Sequence, residues 1–305
     1  ICWYVDDNKI SHMEQEVIDD VINNLKPHFG ELTITRGDTH TFLGMDIKIR
    51  DDGKFEILQK DHLKEAFEMF GEELTRKVTS PAASDLFHVD ENSKNLSEEK
   101  SKVFHSVSAK LLFVMQRSRP DIETAIAFMC SRVSKSTKDD WRKLKRVLQW
   151  LYHTIDKPRI IGASTLTELF TWVDAAFAVH PDMRSQTGGC MSFGWGTIHS
   201  RSSKQKLNTV SSTEAELVGV SEYFPRNIHI TMFLEQLGYC MRSNVLMQDN
   251  QSAMRMEKNG KASTTGKSRH VHIRYFFIKD RVDKGEVELQ YCPTLEMLAD
   301  YFTKP

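Results

Sequence analysis

Four short strand patterns in a row, followed by helices that alternate with strands, determine the fold class of residues 159–305. The strand patterns cover Arg159–Ala163, Leu169–Asp174, Gly189–Trp195 and Thr197–Ser202. A long helical pattern, Ser211–Leu237, comes next and contains Pro225, which predicts a kink or break. The remaining patterns are strand Val245–Gln248, helix Ser252–Lys258, helix His270–Asp283, strand Glu286–Tyr291 and a short final helix. This order predicts a mixed α/β sheet covered by helices.

Residues 1–58 combine strand patterns with one helix. Ile1–Val5 predicts a strand, and because this strand needs sheet neighbours, we expect the sequence to be a piece of a longer chain. The S-x-x-E sequence at Ser11–Glu14 is a capping box, which predicts the start of a helix. Two alternating segments, Leu43–Ile49 and Phe55–Ile57, flank a glycine-bearing turn and predict a β-hairpin.

Residues 59–158 are mainly helical in pattern. Residues 59–70 predict a helix, and the polar segment Thr79–Asn95 predicts a loop. Further helix starts are predicted near Ser97, Pro120 and Thr137. The helical pattern stops at Asp156–Pro158, so we place a domain boundary there.

The composition is that of an ordinary globular protein. The 41 basic and 42 acidic residues give a net charge of −1, which excludes a globally basic nucleic-acid coat but leaves room for a local basic groove. No apolar run approaches the roughly 20 residues of a membrane span. The five cysteines lie far apart and form no C-x-x-C pair, which favours reduced thiols over disulfides or a zinc site.

One local excess of positive charge lies between Arg132 and Arg146. This segment carries seven basic residues against Asp139 and Asp140. Two interpretations remain open at this point. The segment is either a solvated helix face or a surface that follows a phosphate backbone.

Several carboxylates lie at positions typical of catalytic or metal-binding residues. Asp174 ends one strand pattern, and Asp249 directly follows another. Glu214 and Glu216 differ by about 200° around a helix, so they cannot both face one site. Glu214 falls in the first turn and suits the helix dipole, which leaves Glu216 as the better ligand candidate. Asp300 lies on the final predicted helix. Taken singly, each of these acids is an ordinary surface acid or helix cap. Their joint occurrence makes them a candidate site.

Two adjacent acids, Asp6 and Asp7, follow the first strand. One interpretation is an ordinary polar turn. The other is a ligand pair for a hard divalent ion, because a buried strand would deliver both carboxylates to its tip.

Several motifs together resemble a known family over essentially all 305 residues. They are Tyr4–Asp7 (Y-V-D-D), Thr41–Ile47 (T-F-L-G-M-D-I), Ser118–Ile122 (S-R-P-D-I), Val173–Ala175 (V-D-A), Ser211–Leu217 (S-S-T-E-A-E-L), Gln248–Ala253 (Q-D-N-Q-S-A) and Leu298–Pro305 (L-A-D-Y-F-T-K-P). In this order and spacing the chain resembles the C-terminal part of a copia-type retrotransposon Pol polyprotein, with a reverse transcriptase fragment and a ribonuclease H domain.

The resemblance implies three segments. Residues 1–78 would be the end of the reverse-transcriptase palm with the primer grip, residues 79–158 a helical thumb or connection, and residues 159–305 a ribonuclease H-like fold with a five-stranded mixed sheet. It also implies that four acids hold two Mg²⁺ ions, with Mn²⁺ as an alternative: Asp174, Glu216, Asp249 and Asp300. In that family this site hydrolyses the RNA strand of an RNA–DNA hybrid, which is distinguished by its 2′-OH groups and groove shape.

The polymerase site implied by the resemblance is incomplete. Asp6 and Asp7 match its catalytic acids, but a third carboxylate and the fingers would precede this chain. We therefore expect no DNA synthesis by the chain alone. The implied partners are an RNA–DNA hybrid, a template–primer and the upstream part of the same polyprotein, in an intracellular setting without a membrane.

Basic residues near the implied groove are candidate substrate contacts: Arg201, Lys204, Lys206, Lys267 and Arg269. Two departures from the family pattern oppose an active enzyme. His272 stands where relatives often carry an acid, and Tyr291–Thr294 lacks the histidine that many cellular ribonucleases H carry before the last aspartate. The truncated start and His272 favour the alternative hypothesis, a decayed remnant that folds and binds nucleic acid without cutting it. The persistence of all four acids favours the nuclease.

Overall fold

The computed structural model describes residues 1–259 and 277–305. In these ranges the strands form two five-stranded sheets and one two-stranded hairpin, with helices packed against the sheet that follows later in the chain. Within the same ranges no helix is long and apolar enough to cross a membrane. All five cysteines are free thiols.

The N-terminal hairpin pairs β1 (Cys2–Tyr4) with β2 (Asp7–Lys9) in antiparallel fashion. Tyr4 is the partner of Asp7, so the turn consists of Val5 and Asp6. Asp7 therefore belongs to the second strand and not to the turn that the sequence predicted.

Helix α1 (Gln15–Phe29) starts later than its predicted capping box. Its N-cap is Glu14, and no side chain caps it. The Glu14 backbone N–H donates to His12 Nδ1 at 3.0 Å, while Ser11 lies three residues ahead of the N-cap. The predicted capping box at Ser11–Glu14 is thus wrong, because a local turn around His12 takes its place.

The first five-stranded sheet joins the two halves of the chain. Its strands are all antiparallel to their neighbours and lie in the order β3 (Thr39–Phe42), β4 (Met45–Ile49), β5 (Phe55–Leu58), β6 (Arg159–Ala163) and β9 (Gly194–Trp195). The pairing of β4 with β5 confirms the predicted hairpin. Because β6 pairs with β5 on one side and β9 on the other, it hydrogen-bonds the second half of the chain to the first.

Four helices build the core of the first half: α2 (Lys60–Phe70), α3 (Glu98–Arg117), α4 (Glu123–Arg132) and α5 (Lys138–His153). The predicted starts are confirmed. Ser97 caps α3, Thr137 forms a full capping box with Asp140 on α5, and Pro120 opens a 3-10 helix that leads into α4. Fully buried side chains from all four helices form one cluster, which includes Leu63, Phe104, Leu111, Ile126, Leu144 and Leu148.

The basic segment between Arg132 and Arg146 is largely neutralised within the fold. Its contacts are Arg132 with Asp140 (3.2 Å), Arg142 with Asp85 (2.5 Å), Lys143 with Asp139 (2.9 Å), Lys145 with Glu72 (2.9 Å) and Arg146 with Ser80 (3.2 Å). The contacts with Glu72, Asp85 and Ser80 tie α5 to earlier segments of the chain. They favour a structural role for this helix face over the phosphate-following interpretation.

The second sheet lies in the order β10 (His199–Lys204), β8 (Gln186–Ser192), β7 (Glu168–Ala176), β11 (Ser243–Gln248) and β12 (Glu288–Tyr291). Strand β8 is antiparallel to β7 and β10, whereas β11 is parallel to β7 and β12. The predicted five-stranded mixed sheet is confirmed. Strand β7 continues two residues past Asp174, which therefore lies inside the strand and not at its end as predicted.

Helices α6 (Ser212–Tyr223) and α7 (Pro225–Gln236) lie between β10 and β11 in the sequence, and α8 (Gln251–Asn259) and helical residues 277–283 lie between β11 and β12. Pro225 is the first residue of α7, so the predicted break is confirmed. The apolar cluster of this half includes Leu169, Val173, Met191, Val220, Phe224, Leu246 and Ile278. The final short helix is a 3-10 helix, Leu298–Phe302, which packs against β8 and β7.

Candidate active site

The register of two parallel strands places two of the predicted acids side by side. Trp172 on β7 is the partner of Met247 on β11. Asp174 and Asp249 each lie two residues C-terminal to this pair, Asp174 after Trp172 and Asp249 after Met247. Because adjacent parallel strands present their carboxyl ends at the same edge of a sheet, both carboxylates reach that edge.

Glu216 on α6 completes a group of three. The Ser211 hydroxyl accepts from the Glu214 backbone N–H and so fixes the start of this helix. Glu216 is only 5% exposed, and its carboxylate, with those of Asp174 and Asp249, offers ligand atoms that all lie within 4.8 Å of one another. Glu214 points elsewhere and accepts from the Val210 backbone N–H at 2.7 Å. The structure thus separates the two glutamates as the helical spacing predicts.

Asp300, the fourth predicted acid, lies beside this group without belonging to it. The 3-10 helix brings it near Asp174, whose pKa its charge helps to raise. One Asp300 oxygen, Oδ2, accepts from Lys304 Nζ at 2.5 Å. A lysine ammonium therefore neutralises part of the negative charge at this edge of the sheet.

Burial and repulsion by neighbouring carboxylates raise the pKa values of Asp174 and Glu216. Burial is the largest cause that raises the pKa of Asp174 to about 6; the Thr303 hydroxyl opposes the shift, and Asp300 and Asp249 add to it. Burial likewise raises the pKa of Glu216 well above its usual range, followed by the charges of Asp174 and Asp249. The cluster is therefore electrostatically unfavourable in the absence of a positive ion.

Two oxygens in the cluster also lack partners. Glu216 Oε2 and Asp300 Oδ1 are buried and accept no hydrogen bond from any described residue. A buried acceptor without a donor costs free energy. Carboxylate oxygens are the ligands that Mg²⁺ and Mn²⁺ prefer in proteins, so the residues present fit a site for a hard divalent cation.

Comparison with curated proteins yields matches along the whole chain. The chain is 28% identical over 307 residues to the Retrovirus-related Pol polyprotein from transposon TNT 1-94 of Nicotiana tabacum, which covers 99% of the chain and 23% of that protein. It is 22% identical over 321 residues to the Ty1-LR3 Gag-Pol polyprotein of Saccharomyces cerevisiae, and this alignment covers 100% of the chain and 18% of that polyprotein. Its curated homologues are Ty1/copia-type retrotransposon Pol polyproteins. The chain spans about a fifth of the length of these retrotransposon relatives, and no family model matches it.

Solved structures agree with the predicted mixed α/β fold class. The chain is similar to a foamy viral protease–reverse transcriptase in complex with an RNA/DNA hybrid, with a TM-score of 0.50, 12% identity, and coverage of 95% of this chain and 34% of that one. This likeness confirms the fold class. A ribonuclease H1 isolated from compost is also similar, with a TM-score of 0.34 and 13% identity. That alignment covers 45% of this chain and 92% of the ribonuclease.

Two threonines orient the carboxylates, and the sequence did not single them out. Thr303 Oγ1 donates to Asp174 Oδ2 at 2.5 Å, and Thr294 Oγ1 donates to Asp249 Oδ2 at 3.0 Å. Thr303 lies in the motif that the chain shares with copia-type polyproteins, which marked the segment as important. Nothing in the sequence indicated that its hydroxyl reaches Asp174, 129 positions away.

The predicted substrate contacts fall into two groups. Arg201 and Lys206 are exposed, whereas Lys204 pairs with Asp182 at 2.6 Å. Lys267 and Arg269 lie outside the described residues, as does His272. Trp195 on β9 is 52% exposed, and Lys54 Nζ lies 3.7 Å from its ring centroid.

Asp6 and Asp7, the acids of the Y-V-D-D motif, are exposed on the N-terminal hairpin. Among the described residues, the single group of three or more side chains that could hold a metal ion is that of Asp174, Glu216 and Asp249. The structure therefore brings four of the predicted acids together at the second sheet and leaves the other two apart from them.

Glu257 on α8 gives a prediction about pH. It is fully buried, both carboxylate oxygens lack a partner among the described residues, and burial raises its pKa to about 8. Because the pKa is higher in the folded than in the unfolded chain, its stabilising contribution is complete below about pH 4.5 and is lost as the pH rises to 8. Glu257→Gln should remove this loss and raise the free energy of unfolding above pH 8 by a few kcal/mol, at about 1.4 kcal/mol per pKa unit.

Urea unfolding at pH 5 and pH 8.5, with chelator present, measures this difference. The matched control is Glu235→Gln, which changes an exposed glutamate on α7. Equal pH dependence of the wild-type chain and Glu257→Gln would contradict the prediction.

Proposed function

We propose that this chain hydrolyses the RNA strand of RNA–DNA hybrids with divalent metal ions held at the edge of the second sheet. The observation that carries the proposal is the convergence of Asp174, Glu216 and Asp249 within 4.8 Å, with Asp300 beside them. Carboxylates that are buried, mutually repulsive and partly unpartnered suit paired cations better than any role without metal. The ribonuclease H-like fold class and the retrotransposon relatives support the same reaction.

The chain's own residues would prepare the site in two ways, as metal ligands and as groups that orient those ligands. Bound Mg²⁺ or Mn²⁺ ions would activate a water molecule and neutralise the charge on the departing 3′ oxygen. The four acids would supply the ligands, and each must be deprotonated to bind, so binding to Asp174 would release protons below about pH 6. Thr303 and Thr294 would keep two of these carboxylates in a fixed orientation.

The remaining functional assignments are part of the same proposal. Five basic residues would contact the backbone of the hybrid through charge: Arg201, Lys204, Lys206, Lys267 and Arg269. Residues 1–78 would belong to a polymerase palm and primer grip, and residues 79–158 to a thumb or connection. Template–primer and the upstream part of a polyprotein would then be the partners of the first half.

Cleavage of an end-labelled RNA–DNA hybrid with Mg²⁺ tests the proposal. The wild-type chain should cut the RNA strand, and Asp249→Asn should lose about 100-fold or more in rate, because a metal ligand supplies several kcal/mol of transition-state stabilisation. A DNA duplex of the same sequence is the substrate control and should stay intact. Cutting by both proteins contradicts the assigned site; hybrid binding without cutting by the wild-type chain supports the decayed remnant instead.

A further inference from the structure

We propose that Glu123 and Thr124, at the start of α4 in the first half of the chain, are positioning residues for the carboxylate of Asp300. The inference rests on the proposed function, because it concerns the affinity of the acidic cluster for divalent ions. It assigns the first half of the chain a role in the site of the second half.

Thr124 makes the direct contact. Its hydroxyl donates to the backbone carbonyl of Tyr301 at 3.2 Å, and its side chain is almost completely buried. Tyr301 directly follows Asp300 in the 3-10 helix. The hydroxyl therefore holds the peptide between Tyr301 and Phe302, one residue beyond Asp300.

Glu123 makes a second, relayed contact. Its two oxygens accept from the Ser200 hydroxyl at 2.6 Å and from the Ser202 backbone N–H at 2.9 Å. The Ser202 hydroxyl donates in turn to the Phe302 carbonyl at 2.5 Å. Helix α4 thus holds two consecutive carbonyl groups after Asp300, one directly and one through strand β10.

The 3-10 helix also packs closely against strand β8. Gly188 on β8 is the strand partner of Asp174, and a Cβ atom built on it would lie 2.7 Å from the Ala299 carbonyl oxygen and 2.9 Å from the Phe302 carbonyl carbon. The backbone of β8 and the side chains of α4 therefore both restrict the position of the 3-10 helix.

The contacts from α4 and β8 matter because the internal hydrogen bonds of the 3-10 helix stabilise it only weakly. It is a 3-10 helix of five residues, and such helices have less favourable hydrogen-bond geometry than α-helices and stay short. The position of Asp300 relative to Asp174 thus depends on what packs against the segment. Loosening the α4 contacts should let Asp300 move away and weaken cation binding.

Calorimetric titration of the full chain with Mn²⁺ tests the inference. Thr124→Val keeps the shape of the side chain and removes its donor, and we expect Mn²⁺ to bind about fivefold more weakly, the equivalent of one lost hydrogen bond of about 1 kcal/mol. Thr124→Ser keeps the hydroxyl and should restore wild-type affinity. The matched control is Thr231→Val on α7, which removes a similar hydroxyl bond, to the Ile228 carbonyl at 2.9 Å, away from the acids.

Hybrid cleavage provides the second readout. Thr124→Val should need several-fold more Mg²⁺ for half-maximal rate, while its KM for the hybrid at saturating Mg²⁺ stays unchanged. If circular dichroism shows that Thr124→Val is unfolded, Glu123→Gln, which replaces one accepting oxygen by an amide, is judged by the same two measurements.

The outcomes separate the two proposals. Wild-type binding of Mn²⁺ with equal affinity in the folded Thr124 or Glu123 variant overturns the positioning role and leaves the proposed function standing. Weakening by Thr231→Val as large as by Thr124→Val also overturns it. Absence of Mn²⁺ binding by the wild-type chain overturns both.

Discussion

Glu216→Gln should reduce hybrid cleavage by about 100-fold or more, while Glu214→Gln, two positions away on the same helix, should leave the rate nearly unchanged. Glu216 is buried among Asp174 and Asp249, whereas Glu214 bonds to the Val210 backbone at the helix start. Glutamine keeps the shape of the side chain but offers a cation a neutral ligand, which costs several kcal/mol of charge stabilisation.

The same substitution should stabilise the metal-free protein. Glu216 is forced toward its protonated form by burial and by two neighbouring carboxylates, and glutamine removes that unfavourable charge. We expect a higher melting temperature than wild type in chelator and a smaller gain of melting temperature on addition of Mg²⁺. Lower stability of Glu216→Gln in chelator, or equal loss of cleavage by Glu214→Gln, would contradict this account.

Gly188→Ala should damage both the fold and the reaction. The added Cβ would lie 2.6 Å from Thr303 Cγ2 and within 3 Å of two backbone atoms of the final segment. Overpacking of this kind costs about 1–3 kcal/mol. Since the clash would displace Thr303 and Asp300 from Asp174, and small misplacements at a reacting centre can cost about 100-fold in rate, we expect a comparable loss of cleavage.

The matched control is Gly219→Ala on α6. A Cβ there would meet its nearest neighbours at 3.5 Å, an ordinary contact distance. Alanine also favours a helix over glycine by about 1 kcal/mol, so this variant should be as stable as wild type or more so. Urea unfolding and cleavage rates of both variants test this prediction. If Gly188→Ala is as stable and as active as Gly219→Ala, the close packing around Gly188 is refuted.

The features that the sequence predicts well depend on neighbours along the chain. The caps at Ser97 and Thr137 are bonds to residues three positions away, and the β4–β5 hairpin follows from alternation around a tight turn. Asp249 was found because it directly follows an apolar strand. The separation of Glu216 from Glu214 follows from helical geometry alone.

The features that the sequence did not predict depend on contacts between distant segments. The bond from Thr303 to Asp174 joins positions 129 apart, and the bond from Thr124 to Tyr301 joins positions 177 apart. Neither hydroxyl differs in the sequence from any surface threonine. The role of the basic segment of α5 was not predictable for the same reason, because its acidic partners Glu72 and Asp85 lie in much earlier parts of the sequence.

Strand β6 has a consequence for any attempt to divide this protein. A cut after residue 158 would remove the partner of Phe55–Leu58 and leave that strand with unpaired backbone groups along one side. Exposed edges of this kind recruit strands from other molecules. The isolated first half would therefore tend to self-associate, and experiments on it would measure aggregation instead of the properties of residues 1–158 in the intact chain.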